Sequence, residues 1–249
     1  MHRRDCRKGS VIVIVFLCLC SFSTAGKSEP IYHEKAYPAG SGPFPAVIAL
    51  HTAGGLKYMG HLIQQFVDSG FAVYAPDMFK RHGITARTRG DAFGINSEEI
   101  GNELLEIINL MKSDPKVDKN NIFSAGYSAG GFFVCFLAGK AVVNAGVSQY
   151  GVWHGKKRWN MGDHPAEYLS KSSTPILALH GKNDDTQKLH RVEEAWELVK
   201  DQGAPLEIYV YPEADHAWDR KGSNKWDYNE EVTKDSHKRT IEFFKKHMK

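Results

Sequence analysis

The chain has 249 residues, 42% hydrophobic and 24% charged, with 32 basic against 29 acidic side chains and a net charge of +3. That length suits one large domain with a full core, and that balance excludes a disordered or low-complexity chain. The first 25 residues stand apart from the rest. Arg3, Arg4, Arg7 and Lys8 precede a ten-residue apolar run over 11–20, too short to span a bilayer as a helix. Ser23-Thr24-Ala25 then offers the small residues that a signal peptidase reads. These residues predict a secretory signal cleaved near Ala25, a single domain over 26–249, and export to the periplasm or beyond. Removing the leader's four basic and one acidic residues leaves 28 of each sign. The charge then points to no nucleic-acid partner and to no lasting membrane partner. Cys6, Cys18 and Cys20 leave with the leader. Cys135 alone remains, so no internal disulfide is expected.

Beyond the leader, strand and helix patterns alternate. Residues 31–37 have room for one strand. Residues 46–50 form a continuous apolar run, as in a strand covered on both faces. Residues 58–68 have helical spacing, with Met59, Leu62, Ile63, Phe66 and Val67 on one side and Gly70 as the stop. A strand follows at 71–75. A second amphipathic helix covers 97–112, striped by Ile100, Leu104, Ile107, Ile108 and Met111. Strand 121–125 runs into an apolar helix from Gly131, where Cys135 is expected to pack in the core. Strands at 145–150, 175–179 and 206–211 and helices at 189–201 and 233–247 complete the order. Repeated βα units predict an α/β fold, with a mostly parallel sheet and helices on both faces. Sites in such sheets gather at the carboxyl ends of the strands. His51, Asp77, Ser128, Gly151, His180 and Asp184 all fall there.

Gly126-Tyr127-Ser128-Ala129-Gly130 fits G-x-S-x-G between a strand and a helix. A serine there sits on a tight turn with its hydroxyl pushed out over the sheet edge. Ser128 is the candidate nucleophile, and it needs a base. Of eleven histidines in the mature chain, His216 is best placed, in the loop just past the last strand. The orienting carboxylate is assigned to Asp184 in preference to its neighbour Asp185, because it follows the strand ending in Leu179-His180-Gly181. Asp215 is read as a turn former. Two oxyanion donors are required. The N–H of Ala129 is one, and the N–H of Thr52 or Ala53 in His51-Thr52-Ala53-Gly54-Gly55 is the other. No metal-binding spacing, Walker loop or dinucleotide fingerprint appears, so neither metal nor cofactor is expected.

These residues resemble the dienelactone hydrolase family of α/β-hydrolases. The resemblance rests on Leu50-His51-Thr52-Ala53-Gly54-Gly55, Tyr74-Ala75-Pro76-Asp77-Met78-Phe79, the segment from Gly126 to Gly131, Ser148-Gln149-Tyr150-Gly151-Val152, His180-Gly181-Lys182-Asn183-Asp184 and Asp215-His216-Ala217-Trp218, in that order. It implies a single-domain α/β-hydrolase fold and cofactor-free hydrolysis of esters or lactones through a covalent acyl-enzyme. By position, Ser128, Asp184 and His216 become nucleophile, acid and base, and Ala53 and Ala129 the oxyanion donors. The namesake enzymes hold a substrate carboxylate with an arginine four residues past the histidine, a spacing that Arg220 occupies here. A second such arginine falls among Arg81, Arg87 and Arg89, with Arg81 taken as the candidate. Two departures stand out: Ser128 replaces the namesake cysteine, and Thr52 replaces a gating glutamate. Both suit a plain serine esterase.

The expected function is therefore an exported serine hydrolase acting on a small-molecule ester or lactone. Trp153, Trp218 and Phe79 are expected to line an apolar pocket. A peptidase of the prolyl-oligopeptidase type would share the catalytic domain, but no propeller accompanies it. A non-catalytic binding protein of the same fold would have no use for three triad candidates.

Overall fold

The computed structural model of the protein describes residues 31–85, 87–154 and 164–249. The expected leader and its cleavage site lie outside them. Seven strands form one sheet: β1 (His33–Ala36), β2 (Phe44–Leu50), β3 (Ala72–Pro76), β4 (Val117–Tyr127), β5 (Gly146–Gln149), β6 (Ile176–Gly181) and β7 (Leu206–Tyr211), in the spatial order β1-β3-β2-β4-β5-β6-β7. The β1–β3 pair is antiparallel and the pairs from β3 to β7 are parallel. Helices α1 (Gly60–Asp68), α2 (Ser97–Ser113), α3 (Ala129–Gly139), α4 (Leu189–Asp201) and α5 (Glu230–Lys246) cover both faces. This is the α/β architecture that the alternating pattern predicted.

The continuous apolar run of β2 explains the two-layered core. Successive side chains on a strand point to opposite faces. Ala46, Ile48 and Leu50 therefore join the layer under α2, α3 and α4. Val47 and Ala49 join the layer under α1 and α5, where Phe123 stacks on Phe244 at 4.7 Å. Helix α3 is apolar all round, and its residues from Ala129 to Ala138 are buried, as expected of a helix enclosed by other elements.

Some boundaries differ from the expected ones. Strand β4 starts at Val117, because Phe44 pairs with Val117 across a register shift that local propensity does not reveal. Helix α5 starts at Glu230, where the Asn229 side chain accepts the Val232 N–H at 3.0 Å and Glu230 and Glu231 suit the helix N-terminus. Short 3-10 turns at Leu56–Tyr58, Arg89–Phe93 and Pro165–Tyr168 are too brief to leave a periodic signal. The order of strands sets the place of the site. The chain leaves β2 toward β3 on one side, then resumes at β4 on the other. The loops after β2 and β4 diverge, which opens a crevice at their carboxyl ends.

Candidate active site

Ser128 occupies the single residue between β4 and α3, at φ 50° and ψ −107°. Positive φ is uncommon for a residue with a side chain and costs on the order of 1 kcal/mol. The surroundings impose it. The Ser128 N–H donates to the Gln149 carbonyl, and its carbonyl accepts from the Gly131 and Val152 N–H groups, all at 3.0 Å. Glycine is required at 130 because a Cβ there would run into the Leu50 carbonyl of β2. Thus β2, β4, β5 and α3 together aim one side chain.

That side chain meets its expected partners. Ser128 Oγ lies 3.0 Å from His216 Nε2, and His216 Nδ1 lies 2.7 Å from Asp184 Oδ2. The other carboxylate oxygen of Asp184 accepts the Thr186 and Gln187 N–H groups, both at 2.7 Å. Burial works to raise the Asp184 pKa, but the hydrogen bond and charge of His216, the nearby His180 and the Gln187 N–H outweigh it and hold the carboxyl below its ordinary value. An ionised Asp184 sets the His216 proton on Nδ1 and leaves the Nε2 lone pair facing the serine hydroxyl. Asp185 and Asp215 take no part in this chain. Asp215 instead accepts the N–H of the next residue, His216, at 2.6 Å.

The loop after β2 is pinned from beneath. His51, fully buried, donates from Nδ1 to the Thr52 carbonyl at 2.7 Å and accepts the Met78 N–H at Nε2 at 3.0 Å. Burial lowers its pKa and keeps it neutral. Thr52 builds the turn, its hydroxyl accepting the Gly54 N–H at 3.1 Å and its carbonyl the Gly55 N–H at 3.0 Å. Ala53 and Ala129 line the cavity together with Ser128. Both His51 nitrogens are spent on backbone. Among the described residues no cluster of three or more His, Cys, Asp or Glu could hold a metal ion.

The cavity above Ser128 has a volume of about 750 Å³, and Ala53, Ala129, Phe79, His216 and Arg220 are among the residues lining it. Arg220 lies 3.9 Å from the Tyr58 ring centre and 5.6 Å from that of Trp226, and no carboxylate among the described residues forms an ion pair with it. It is a cation held by aromatic faces.

The profile of the dienelactone hydrolase family matches residues 34–248. The chain belongs to the dienelactone hydrolase family. A protein of Escherichia coli K12 named "putative carboxymethylenebutenolidase" is 23% identical over 236 residues, covering 91% of this chain and 86% of that protein. A crystal structure from Klebsiella pneumoniae titled "putative dienelactone hydrolase" superposes with a TM-score of 0.76 at 24% identity, over 86% of this chain and 92% of that one. A thermophilic esterase from Thermogutta terrifontis, with propionate bound, superposes with a TM-score of 0.64 at 15% identity, over 85% and 89% of the two chains. This member of the family is a hydrolase of carboxylic esters or lactones.

The other residues singled out in the sequence divide between cavity and core in this family member. Phe79 and Arg220 line the cavity. Trp153 and Trp218 do not, contrary to expectation. Trp153 packs edge-on against Trp196 at 6.1 Å and is 1% exposed. Trp218 packs against Tyr150 and Tyr211 and donates its indole N–H to Ser236 at 3.2 Å. Large apolar area draws both rings into the core. Arg81 also turns away from the cavity, paired with Glu103 at 2.8 Å, and Arg89 is the arginine of that segment that lines it. The sequence reading missed Tyr58, His61, Tyr150, Asp219 and Trp226, all of which line the cavity. Trp226 carried a usable signal, being a lone indole in the polar run Lys221-Gly222-Ser223-Asn224-Lys225-Trp226-Asp227.

Proposed function

We propose that this member of the dienelactone hydrolase family is an exported serine hydrolase that opens a small carboxylic ester or lactone through an acyl-enzyme. His216 Nε2 takes the Ser128 hydroxyl proton as Oγ attacks the substrate carbonyl. Asp184 steadies the imidazolium that forms. The Ala53 and Ala129 N–H groups receive the negative charge developing on the carbonyl oxygen. Collapse expels the alcohol, which takes the proton from His216, and a water then repeats the sequence to release the acid.

The observation that carries this reading is the unbroken chain from Asp184 through His216 to Ser128, at 2.7 and 3.0 Å, whose last two members line a cavity of about 750 Å³. Arg220, stacked and without a carboxylate partner among the described residues, supports a preference for substrates that bear a negative group. Ser128→Ala is expected to abolish labelling by a fluorophosphonate probe and to lower turnover of small p-nitrophenyl esters by on the order of 10³ or more, with the fold intact. Retention of more than a few per cent of the activity would remove Ser128 from the mechanism. Export rests on the basic stretch before the apolar run and the small residues ending at Ala25. An exported form whose mass begins near Gly26 supports it; intact Met1 in cytoplasmic material rejects it.

A further inference from the structure

We propose that Asp219 is a positioning residue for the base: with Tyr150 and His61 it fixes the ring against which His216 rests and the loop that carries His216. The inference builds on the catalytic reading of Ser128 and His216, yet its groups are none of the triad. Asp219 is 6% exposed, and both of its carboxylate oxygens are engaged. Oδ1 accepts the Tyr150 hydroxyl at 2.5 Å, and Oδ2 lies 3.1 Å from His61 Nε2. Burying a carboxylate costs several kcal/mol unless its oxygens find partners in good geometry. Here the partners come from the end of β5 and from α1, 69 and 158 residues away in the chain. The carboxylate thus ties three elements together at the cavity wall.

Tyr150 transmits that tie to the base. Its ring stands edge-on to the His216 imidazole at 5.1 Å between centres. Trp226 flanks the same imidazole at 5.4 Å. The two nitrogens of His216 are aimed by Asp184 and Ser128, and these two aromatic rings limit the tilt of its plane. Tyr150 needs an anchor to serve as a wall. Its backbone sits at φ 37°, a region that a bulky residue occupies only when its surroundings insist. Burial pushes the Tyr150 phenol far above its ordinary pKa, and Asp219 adds to the effect. The proton therefore stays on the phenol, and Tyr150 donates to Asp219. Without the carboxylate, a buried hydroxyl would lack its acceptor, and packing against Trp218 and Tyr127 alone would have to hold the ring. Small misalignments of a catalytic group cost up to about 10²-fold in rate.

Asp219→Ala, Asp219→Asn and Tyr150→Phe test the assignment in the full chain with a neutral aryl acetate, following kcat and KM against pH and the far-downfield proton resonance of the His216 Nδ1–H. The Ala and Phe variants are expected to lower kcat about 10- to 100-fold, with KM within about threefold of the parent, and to shift or broaden that resonance. Asp219→Asn keeps an oxygen that accepts the Tyr150 hydroxyl, so its kcat is expected to return to within about fivefold of the parent. A kcat within about twofold in both the Ala and Phe variants, with the resonance unmoved, overturns the proposal. So does an Asn variant as impaired as the Ala variant, since the charge and not the hydrogen bond would then matter. If Asp219→Ala fails to fold, Tyr150→Phe decides, because it removes one oxygen and leaves the ring. An inactive parent protein would count against the serine hydrolase reading instead, and the resonance would still report whether Asp219 orders His216.

Discussion

The turn that carries Ser128 and the loop that carries His216 face one cavity, and they differ in how much of their hold comes from side chains. The turn is made of backbone. The N–H and carbonyl of Ser128 are bound by Gln149, Gly131 and Val152, its side chain caps nothing, and the neighbouring glycines let β2 and α3 touch. The loop has backbone bonds of its own, the Asn183 N–H to the Ala214 carbonyl at 3.0 Å and the Asn229 N–H to the Trp218 carbonyl at 2.9 Å, and side chains from distant elements add to them. Asp219 reaches Tyr150 and His61, the Trp218 indole reaches Ser236, and Thr233 donates to the Trp218 carbonyl at 3.1 Å. A turn made of backbone has no rotamer with which to absorb an added atom. Where side chains share the hold, one lost contact leaves the fold standing but lets the aim of His216 drift. The rigid half holds the Ser128 hydroxyl, while the more adjustable half holds His216, whose aim depends on those side chains, together with Arg220 and Trp226 on the cavity wall.

The contrast breaks most visibly at Gly130. A Cβ there meets the backbone carbonyl of Leu50, where Leu50 and the whole start of α3 are buried. No flexible side chain is available to yield. Gly130→Ala is expected to cost about 3 kcal/mol or more, a large share of the roughly 5–15 kcal/mol that holds a domain folded. Thermal unfolding would then fall by about 6–12 °C for a domain of this size. A melting temperature within about 2 °C of the parent would show that the turn gives way like the loop, and the distinction between the two halves would fail.

The same contrast explains what was legible in the sequence. The turn could be read because everything that shapes it lies within a few residues: a strand, two glycines about a serine, and an apolar helix. The order of βα units was legible for the same reason, since β2 shows its two-sided burial in its own residues. Asp184 and His216 were legible as loop residues after β6 and β7. The walls of the cavity were not. Whether a tryptophan faces solvent, substrate or core depends on neighbours such as Trp196 for Trp153 and Tyr211 for Trp218, and local composition says nothing of these. Arg81 was misplaced because its partner Glu103 lies on α2, one side chain among several charged ones there. Asp219 escaped notice because its two partners are remote in the chain and meet only in the folded sheet.

The smallest expected effect lies on the adjustable side and sharpens the comparison. Arg220 is stacked on Tyr58 and Trp226 and has no carboxylate to satisfy among the described residues. Its charge is therefore available to a bound anion, but the site is partly open to water, which screens the attraction. Arg220→Ala is expected to lower kcat/KM about tenfold for esters that bear a negative group, or about 1.4 kcal/mol. Neutral esters of the same size should change by less than about twofold, and the melting temperature by less than about 2 °C. Arg220→Lys keeps the charge while losing the planar fork and the stacking, so it should fall between the parent and the alanine variant for anionic esters. The measurement is a matched pair of esters, one neutral and one anionic, assayed at low and at high salt. Selectivity that shrinks as salt rises would mark the guanidinium as a contact for the substrate. Equal losses for both esters, independent of salt, would instead make Arg220 part of the packing that seats Trp226 beside His216, and the cation would belong to the loop's own architecture.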